Sequence, residues 1–412
     1  MSFLKKWQSF TWFGVGLIAF AEVLTLSLWF SASVVYSPLQ HLWHLNSFEV
    51  ALLTSSVQLG FVLGAFLSSF IGIADRFNPR KIFVISAIVG AGANGLFVLS
   101  TFWQQGILLR ILTGIAMVGV YPIAVKLIVQ WSPKHRGLAI GVLIASLTLG
   151  SALPHLILFF GFSVSWQYVV LASSVLALVG AAIIGFVLPD RVNEASQIPS
   201  KISLNSFKKV LSNKEAMLAN YGYFGHMWEL YGMWTWFPVF IYSSYVASGH
   251  PTGALAKAAI VSFVVIGIAG ATGAIVAGYL ADKVGRTIIA SVSMAISGIC
   301  CLVIGLSYES SSWIVISLAI VWGASVIADS AQFSAAVSEL SEPKYLGTAI
   351  TFQTAIGFFI TIISINLIAV AKGPMGWQWV FTLLSIGPFI GVYAMLRLRS
   401  MDGSLKMANG RR

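Results

Sequence analysis

The chain has 412 residues, of which 58% are hydrophobic and 9% charged, and its mean hydropathy is +0.89. Soluble globular chains carry about 25% charge, so a soluble fold is excluded. A membrane β-barrel is excluded too, because the apolar runs are continuous over ~20 residues instead of alternating over ~10. The net charge of +11 is not the footprint of a nucleic-acid face, since the basic residues gather in alternate loops between the apolar runs.

Taken in chain order, those runs predict α-helices at 10–35, 47–72, 81–101, 105–130, 137–160, 166–188, 216–243, 256–281, 287–307, 312–338, 347–371 and 377–397. The first is read as a helix and not as a removable signal, because no small-residue cleavage site follows it. The expected class is an all-α polytopic membrane protein with twelve transmembrane helices. With both termini placed on one side, 20 of the 24 Lys and Arg fall on that side, two (Lys257 and Lys372) on the other, and two (Arg110 and Lys126) inside a helix. Cytoplasmic loops carry this excess, so both termini are expected in the cytoplasm, in a cell membrane. Cys300 and Cys301 are neighbours in one run, point to different sides of a helix and cannot bridge.

The only long polar segment, "PDRVNEASQIPSKISLNSFKKVLSNKE", divides the helices six and six. The expected organisation is a bundle over 1–188, a cytoplasmic linker over 189–215, and a second bundle with a short tail over 216–412. The halves repeat. "GIADRFNPRK" (72–81) resembles "GYLADKVGRT" (278–287), "SWQYVV" (165–170) resembles "GWQWVF" (376–381), and "HRGLAIG" (135–141) aligns with "YLGTAIT" (345–351). The offsets are 207 residues from Asp75 to Asp282, 211 from Trp166 to Trp377, and 210 for the last pair. An even helix count per unit makes these parallel repeats related by an axis along the membrane normal.

The seventh run, "FGHMWELYGMWTWFPVFIY", carries His226 and Glu229 near its middle. A charge at mid-bilayer costs at least ~2.5–3.5 kcal/mol, so such groups must pair, neutralise or face water. Shifting Glu229 back by 207 residues gives Glu22, and both open E-x-x-x-x-x-x-W-F, with Trp29 matching Trp236. Residues i and i+7 share a helix face. Each half therefore offers a carboxylate and a tryptophan on one stripe. Glu22, Glu229 and His226 are read as proton-titrating or substrate-binding groups, with His226 bonded to Glu229 at i−3. A neutral carboxylate that only fixes packing is the alternative.

The loop Gly72, Asp75, Arg76, Arg80, Lys81, its copy Gly278, Asp282, Lys283, Gly285, Arg286, and "RILTG" (110–114) resemble signatures of the major facilitator superfamily over the whole chain. This sequence departs from the loop pattern at Pro79, and its fifth helix has Gly150 and Pro154 without the Gly-Pro pair of drug/proton antiporters. "GHMWELYGMWTWFP" is similar to the seventh helix of nitrate/nitrite porters and cyanate permeases, although the second and eighth helices lack the arginines of nitrate porters. The resemblance implies two six-helix bundles, a central cavity lined by the first, fourth, seventh and tenth helices, and rocking between two openings. It assigns gating to Asp75, Arg76, Arg80, Arg136, Asp282, Lys283 and Arg286. Substrate binding is expected at Glu22, Trp29, Arg110, Lys126, Trp236 and Asp329; the resemblance adds that Arg110 matches the family's fourth-helix arginine, holding an anion or neutralising Glu22, and that the helix of Asp329 lines the cavity.

The expected function is a proton-coupled secondary transporter, acting as a monomer, for a small polar and anionic organic solute. No cofactor, nucleic acid or catalytic residue is expected; the proton gradient supplies the drive. The sequence contains no P-loop, G-x-S-x-G or H-E-x-x-H, so it is not read as an enzyme. The competing reading is a ferroportin-like transporter of a divalent metal, with Glu22, His226, Glu229 and Asp329 as ligands.

Overall fold

The computed structural model describes residues 11–132, 136–161, 165–189 and 204–407, and none of these is in a strand. The first six spans are α1 Thr11–Phe30, α2 Ser47–Ile71, α3 Pro79–Leu96, α4 in two segments (Trp103–Met117 and Tyr121–Trp131), α5 Arg136–Gly161 and α6 Trp166–Ala182. The second six begin with α7 Lys214–Ala247, α8 Ala254–Ser262 extended through Gly270–Val284, and α9 Arg286–Val303. They end with α10 in two segments (Ser312–Ala328 and Ser330–Leu340), α11 within Leu346–Trp379, and α12 Ile386–Arg399. The run Leu346–Trp379 is two helices joined at Gly376, whose φ of 67° and ψ of 174° are not helical. Only glycine takes such a φ without strain.

Ten stretches among the described residues are long and apolar enough to cross a membrane. One of them, Leu346–Arg399, holds both α11 and α12. Helix α7 is not among the ten, yet its 34 residues reach ~51 Å, well beyond a ~30 Å hydrocarbon core. Splitting the one and adding the other gives the twelve expected spans. The linker is expected over 189–215. Residues 190–203 lie outside the described set, but the segment then forms a short helix, Leu204–Ser212, and α7 starts at Lys214 under the side-chain cap of Asn213.

The two halves repeat in packing as well as in sequence. In the first, α1 packs on α5 and α6, α2 on α4, and α3 on α6; in the second, α7 packs on α11 and α12, α8 on α10, and α9 on α12. Glycines set the closest approaches. A Cβ on Gly114 of α4 would stand 2.0 Å from the Val57 carbonyl oxygen of α2, and one on Gly323 of α10 would stand 2.2 Å from that of Val265 between the segments of α8. Gly114 and Gly323 are 209 residues apart, so the helix-4 motif glycine and its repeat do the same steric task. The halves meet where α2 lies on α11 and α5 on α8. Two hydrogen-bonded contacts cross the α2–α11 seam: Asn366 Nδ2 donates to Ser55 Oγ at 3.0 Å, and Ser69 and Thr351 share a hydroxyl contact at 3.4 Å nearer the side where α1 begins.

Candidate functional site

Away from the terminus side, aromatic rings close the space between the halves. Trp29 at the end of α1 lies 5.3 Å from Phe61 of α2, 5.9 Å from Tyr231 of α7 and 5.5 Å from Phe358 of α11. Phe61 and Phe358 are 4.4 Å apart, and Phe30 sits 6.0 Å from both Tyr231 and Trp234. All are buried. The sequence marks Trp29 and Trp236 as equivalents, but the structure separates them. Trp29 joins this seam with its indole N–H unpartnered, whereas Trp236 donates to the Ile365 carbonyl at 2.9 Å and stacks near Trp377 inside the second half.

The paired carboxylates diverge in the same way. Both oxygens of Glu22 are buried and accept no hydrogen bond among the described residues. Glu229 accepts three: from Trp322 Nε1 at 2.6 Å, Ser297 Oγ at 2.8 Å and Cys301 Sγ at 3.1 Å. It therefore faces α9 and α10 within its own half, not the space opposite Glu22. The expected His226–Glu229 bond is not formed. Side chains at i and i+3 are turned about 60° apart on a helix, and each found a partner on a different neighbour.

His226 turns to α10. Its Nδ1 lies 2.8 Å from Asp329 Oδ1, an ion-pair distance, although the donor direction is off the hydrogen-bond line. Both side chains are buried. Asp329 occupies the break between the two segments of α10, and α4 is broken over Val118–Val120, where the turns close as 3₁₀ bonds. Gly119 and Asp329 are 210 residues apart, so the breaks are equivalent positions of the repeat. Pro122 has no N–H to give the Val118 carbonyl. Broken helices at membrane depth persist where they are buried in protein or line a cavity.

Two tyrosines, one from each half, stand near these groups. Tyr121, the first residue after the α4 break, stands within electrostatic reach of Glu22 and of Tyr223 on α7. The Tyr223 ring is 6.1 Å from the His226 ring. Glu22, Tyr121, Tyr223, His226 and Asp329 are thus neighbours in series, Tyr121 half-buried and the other four buried. Sequence reading missed both tyrosines. The V-Y-P sequence of 120–122 at the repeat position of Asp329 was the available signal.

Arg110 does not meet Glu22. It donates to the Leu28 carbonyl at 2.9 Å, to Asn94 Oδ1 at 3.0 Å, to Ser31 Oγ at 3.3 Å and to the Trp29 carbonyl. Asn94 in turn donates to Val170 O and Ser174 Oγ, both at 3.0 Å. The carbonyls at the end of α1 lack intrahelical donors, and they engage the guanidinium expected to hold an anion. Lys126 is half-buried on the second segment of α4. His155 is buried on α5 beside a cavity of about 10 Å³ that Trp234 and Thr235 also line.

The loop charges tie helices together within each half. Arg80 donates to the Ile184 and Gly185 carbonyls at 3.0 and 2.8 Å, and Arg286 pairs with Glu339 at 3.0 Å and reaches Gln332 at 3.2 Å. Glu339 was not foreseen. Lys283 bonds Tyr279, while Arg76 and Asp282 are exposed. The side chains of Asp75 and Arg136 lie outside the described residues. Among the described residues, no three His, Cys, Asp or Glu side chains gather as metal ligands. The ligand set of the metal reading is not assembled: of its four members only His226 and Asp329 meet, because Glu229 is enclosed by α9 and α10.

A sequence model described as Major Facilitator Superfamily matches residues 18–271 and 256–406. The putative niacin/nicotinamide transporter NiaP of Bacillus subtilis (strain 168) is 26% identical over 212 residues, which are 50% of this chain and 52% of that protein. The 3-(3-hydroxy-phenyl)propionate transporter of Escherichia coli (strain K12) is 24% identical over 230 residues, 55% of each. The chain's match spans about half the length of these curated relatives. Among solved structures, the nucleoside transporter NupG superposes with a TM-score of 0.69 at 13% identity, covering 94% of this chain and 100% of that one. At that identity the likeness concerns the fold alone.

Proposed function

We propose, from the premise that the chain belongs to the Major Facilitator Superfamily and is a multi-pass secondary transporter of small organic solutes, that it couples entry of a small organic acid to entry of a proton. The observation that carries this reading is a buried Glu22 without a hydrogen-bond partner among the described residues, with Tyr121 at the α4 break and Tyr223 in series between it and the buried His226–Asp329 pair at the α10 break. A carboxylate ion in a low-dielectric space repels an anionic solute. Protonating Glu22 removes that repulsion, so proton and anion bind together and the loaded carrier encloses less net charge. The names of the two relatives refer to niacin or nicotinamide and to a phenylpropionate, two small organic acids and one neutral amide.

On this reading the termini are cytoplasmic, as the distribution of basic residues suggests, and the aromatic seam faces outward. A cysteine placed at His250 is then labelled from outside and one at Ser206 is not. The coupling is tested in proteoliposomes with niacin as the probe. Glu22→Gln and Asp329→Asn are expected to keep solute exchange and to lose accumulation driven by a pH gradient. Wild-type accumulation by both variants would refute proton coupling through these groups.

A further inference from the structure

Away from the terminus side, beside the aromatic seam, the halves enclose the cavity of about 10 Å³ that His155 lines. A buried water needs ~10–15 Å³, so the space suits one water and nothing larger. The lining comes from both halves. Ser33 and Tyr36 belong to the turn and short helix that follow α1, His155 to α5, and Trp234 and Pro238 to α7. Phe30 is part of the wall as well, and its ring lies 6.0 Å from that of Trp234. The cavity therefore adjoins the rings that close the space between the halves.

Cavities that stay dry are apolar, and this one is polar. His155 is buried, and neither of its ring nitrogens has a hydrogen bond among the described residues. A buried polar group left unpaired bears its full desolvation penalty. Ser33 Oγ accepts from Thr54 Oγ1 at 2.9 Å, which leaves its own proton to donate. Pro238 lies inside α7 and has no N–H to give the Trp234 carbonyl one turn before it. Within membrane helices, ordered waters take over carbonyls that proline frees in this way. An imidazole, hydroxyls and a freed carbonyl around one water-sized space supply the two to four partners that a buried water requires.

We propose that this cavity holds one ordered water that latches the two halves together on the side away from the termini. The water donates to the Trp234 carbonyl of α7 and to a ring nitrogen of His155 on α5, and it accepts from the Ser33 and Tyr36 hydroxyls. Its partners thus lie on both sides of the seam. Parting the halves there draws α7 away from α1 and α5 and breaks the bridge, so the latch favours the state closed on that side.

The test has two readouts on the full-length chain. Radiolytic labelling in heavy-oxygen water locates the site, because hydroxyl radicals formed at a bound water oxidise the side chains that touch it. Trp234 should be labelled several-fold faster than Trp322, which is equally buried but bonded to Glu229. His155→Phe should bring Trp234 down to the rate of Trp322; if bulk water entering an open seam were the source, the rate would not fall. Equal rates in the unmodified chain, or no fall in His155→Phe, would overturn the site. The latch is read by electron–electron resonance between spin labels at Leu42→Cys and Val246→Cys, positions exposed on the two halves beyond the seam. His155→Phe and Tyr36→Phe each remove one partner and should raise the long-distance population about fivefold, the worth of one hydrogen bond. Tyr36→Phe deletes only a hydroxyl, which preserves the test if the histidine variant fails to fold. An unchanged distance distribution in the folded variants would overturn the latch. Neither readout needs solute or a proton gradient, so both are independent of proton coupling.

Discussion

Glu22 and Glu229 occupy the same place in the two halves, open the same E-x-x-x-x-x-x-W-F stripe, and are both buried. Among the described residues, one accepts from three hydrogen-bond donors and the other from none. The cause lies in the neighbouring helices. Helices α3 and α9 are both 18 residues long and start 207 residues apart. At that offset Ser297 corresponds to Gly90 and Cys301 to Asn94. Glycine has no hydroxyl to donate, and Asn94 is committed to Arg110, Ser31, Val170 and Ser174. Each half thus has one internal polar lock across its first, third and fourth helices. In the first half Arg110 ties α4 to α1 and α3; in the second Glu229 ties α7 to α9 and α10. A carboxylate enclosed by its own half holds that half together. Glu22 has no hydrogen-bond partner among the described residues, and in the proposed function it is the group that exchanges a proton.

This contrast can be broken most forcefully at the locks. Arg110→Met orphans the Trp29 carbonyl and removes one of two donors from the Leu28 carbonyl and the Asn94 amide oxygen, which Ser31 Oγ still serves; Glu229→Ala orphans the Trp322 N–H, while Ser297 keeps the Met294 carbonyl. The orphaned group in each costs about 1–3 kcal/mol and each further hydrogen bond lost to a charged group about 1.5–3 kcal/mol, so both variants should lose several kcal/mol of stability. Thermal unfolding in detergent measures this; a loss in neither variant would refute the locks.

A smaller effect is expected at the glycines that bring helices into contact. Gly114→Ala and Gly323→Ala each force a Cβ against a carbonyl oxygen, at 2.0 and 2.2 Å, and overpacking of this kind costs about 1–3 kcal/mol. The repeat predicts similar losses at the two sites. A large loss at one and none at the other would show that the halves share a pattern of contacts but not its energetics.

The smallest effect on stability sharpens the comparison most. Glu22→Gln removes no hydrogen bond, so unfolding should shift by less than about 0.5 kcal/mol while gradient-driven accumulation is lost. Glu229→Gln should do the reverse, keeping accumulation and losing about 1 kcal/mol as one acceptor becomes a donor among donors. Measuring both properties in both variants decides the matter. If Glu229→Gln abolishes accumulation at full stability, the assignment of roles is reversed.

Sequence by itself determined the class, the twelve spans, the two-fold repeat and the charge distribution, because these rest on hydropathy, length and spacing along the chain. It also marked which ionisable residues had to be explained, since burial of charge is costly wherever the helix packs. Which of them met was settled only by tertiary structure. His226 stands three residues from Glu229 but pairs with Asp329, a hundred residues on; Arg110 satisfies the carbonyls of α1 instead of a carboxylate; Trp236 turns away from the seam that Trp29 enters. A helix sequence specifies the angle at which a side chain leaves the axis, not the neighbour it meets. Here that neighbour depends on whether the adjoining helix offers a serine or a glycine at the matching turn.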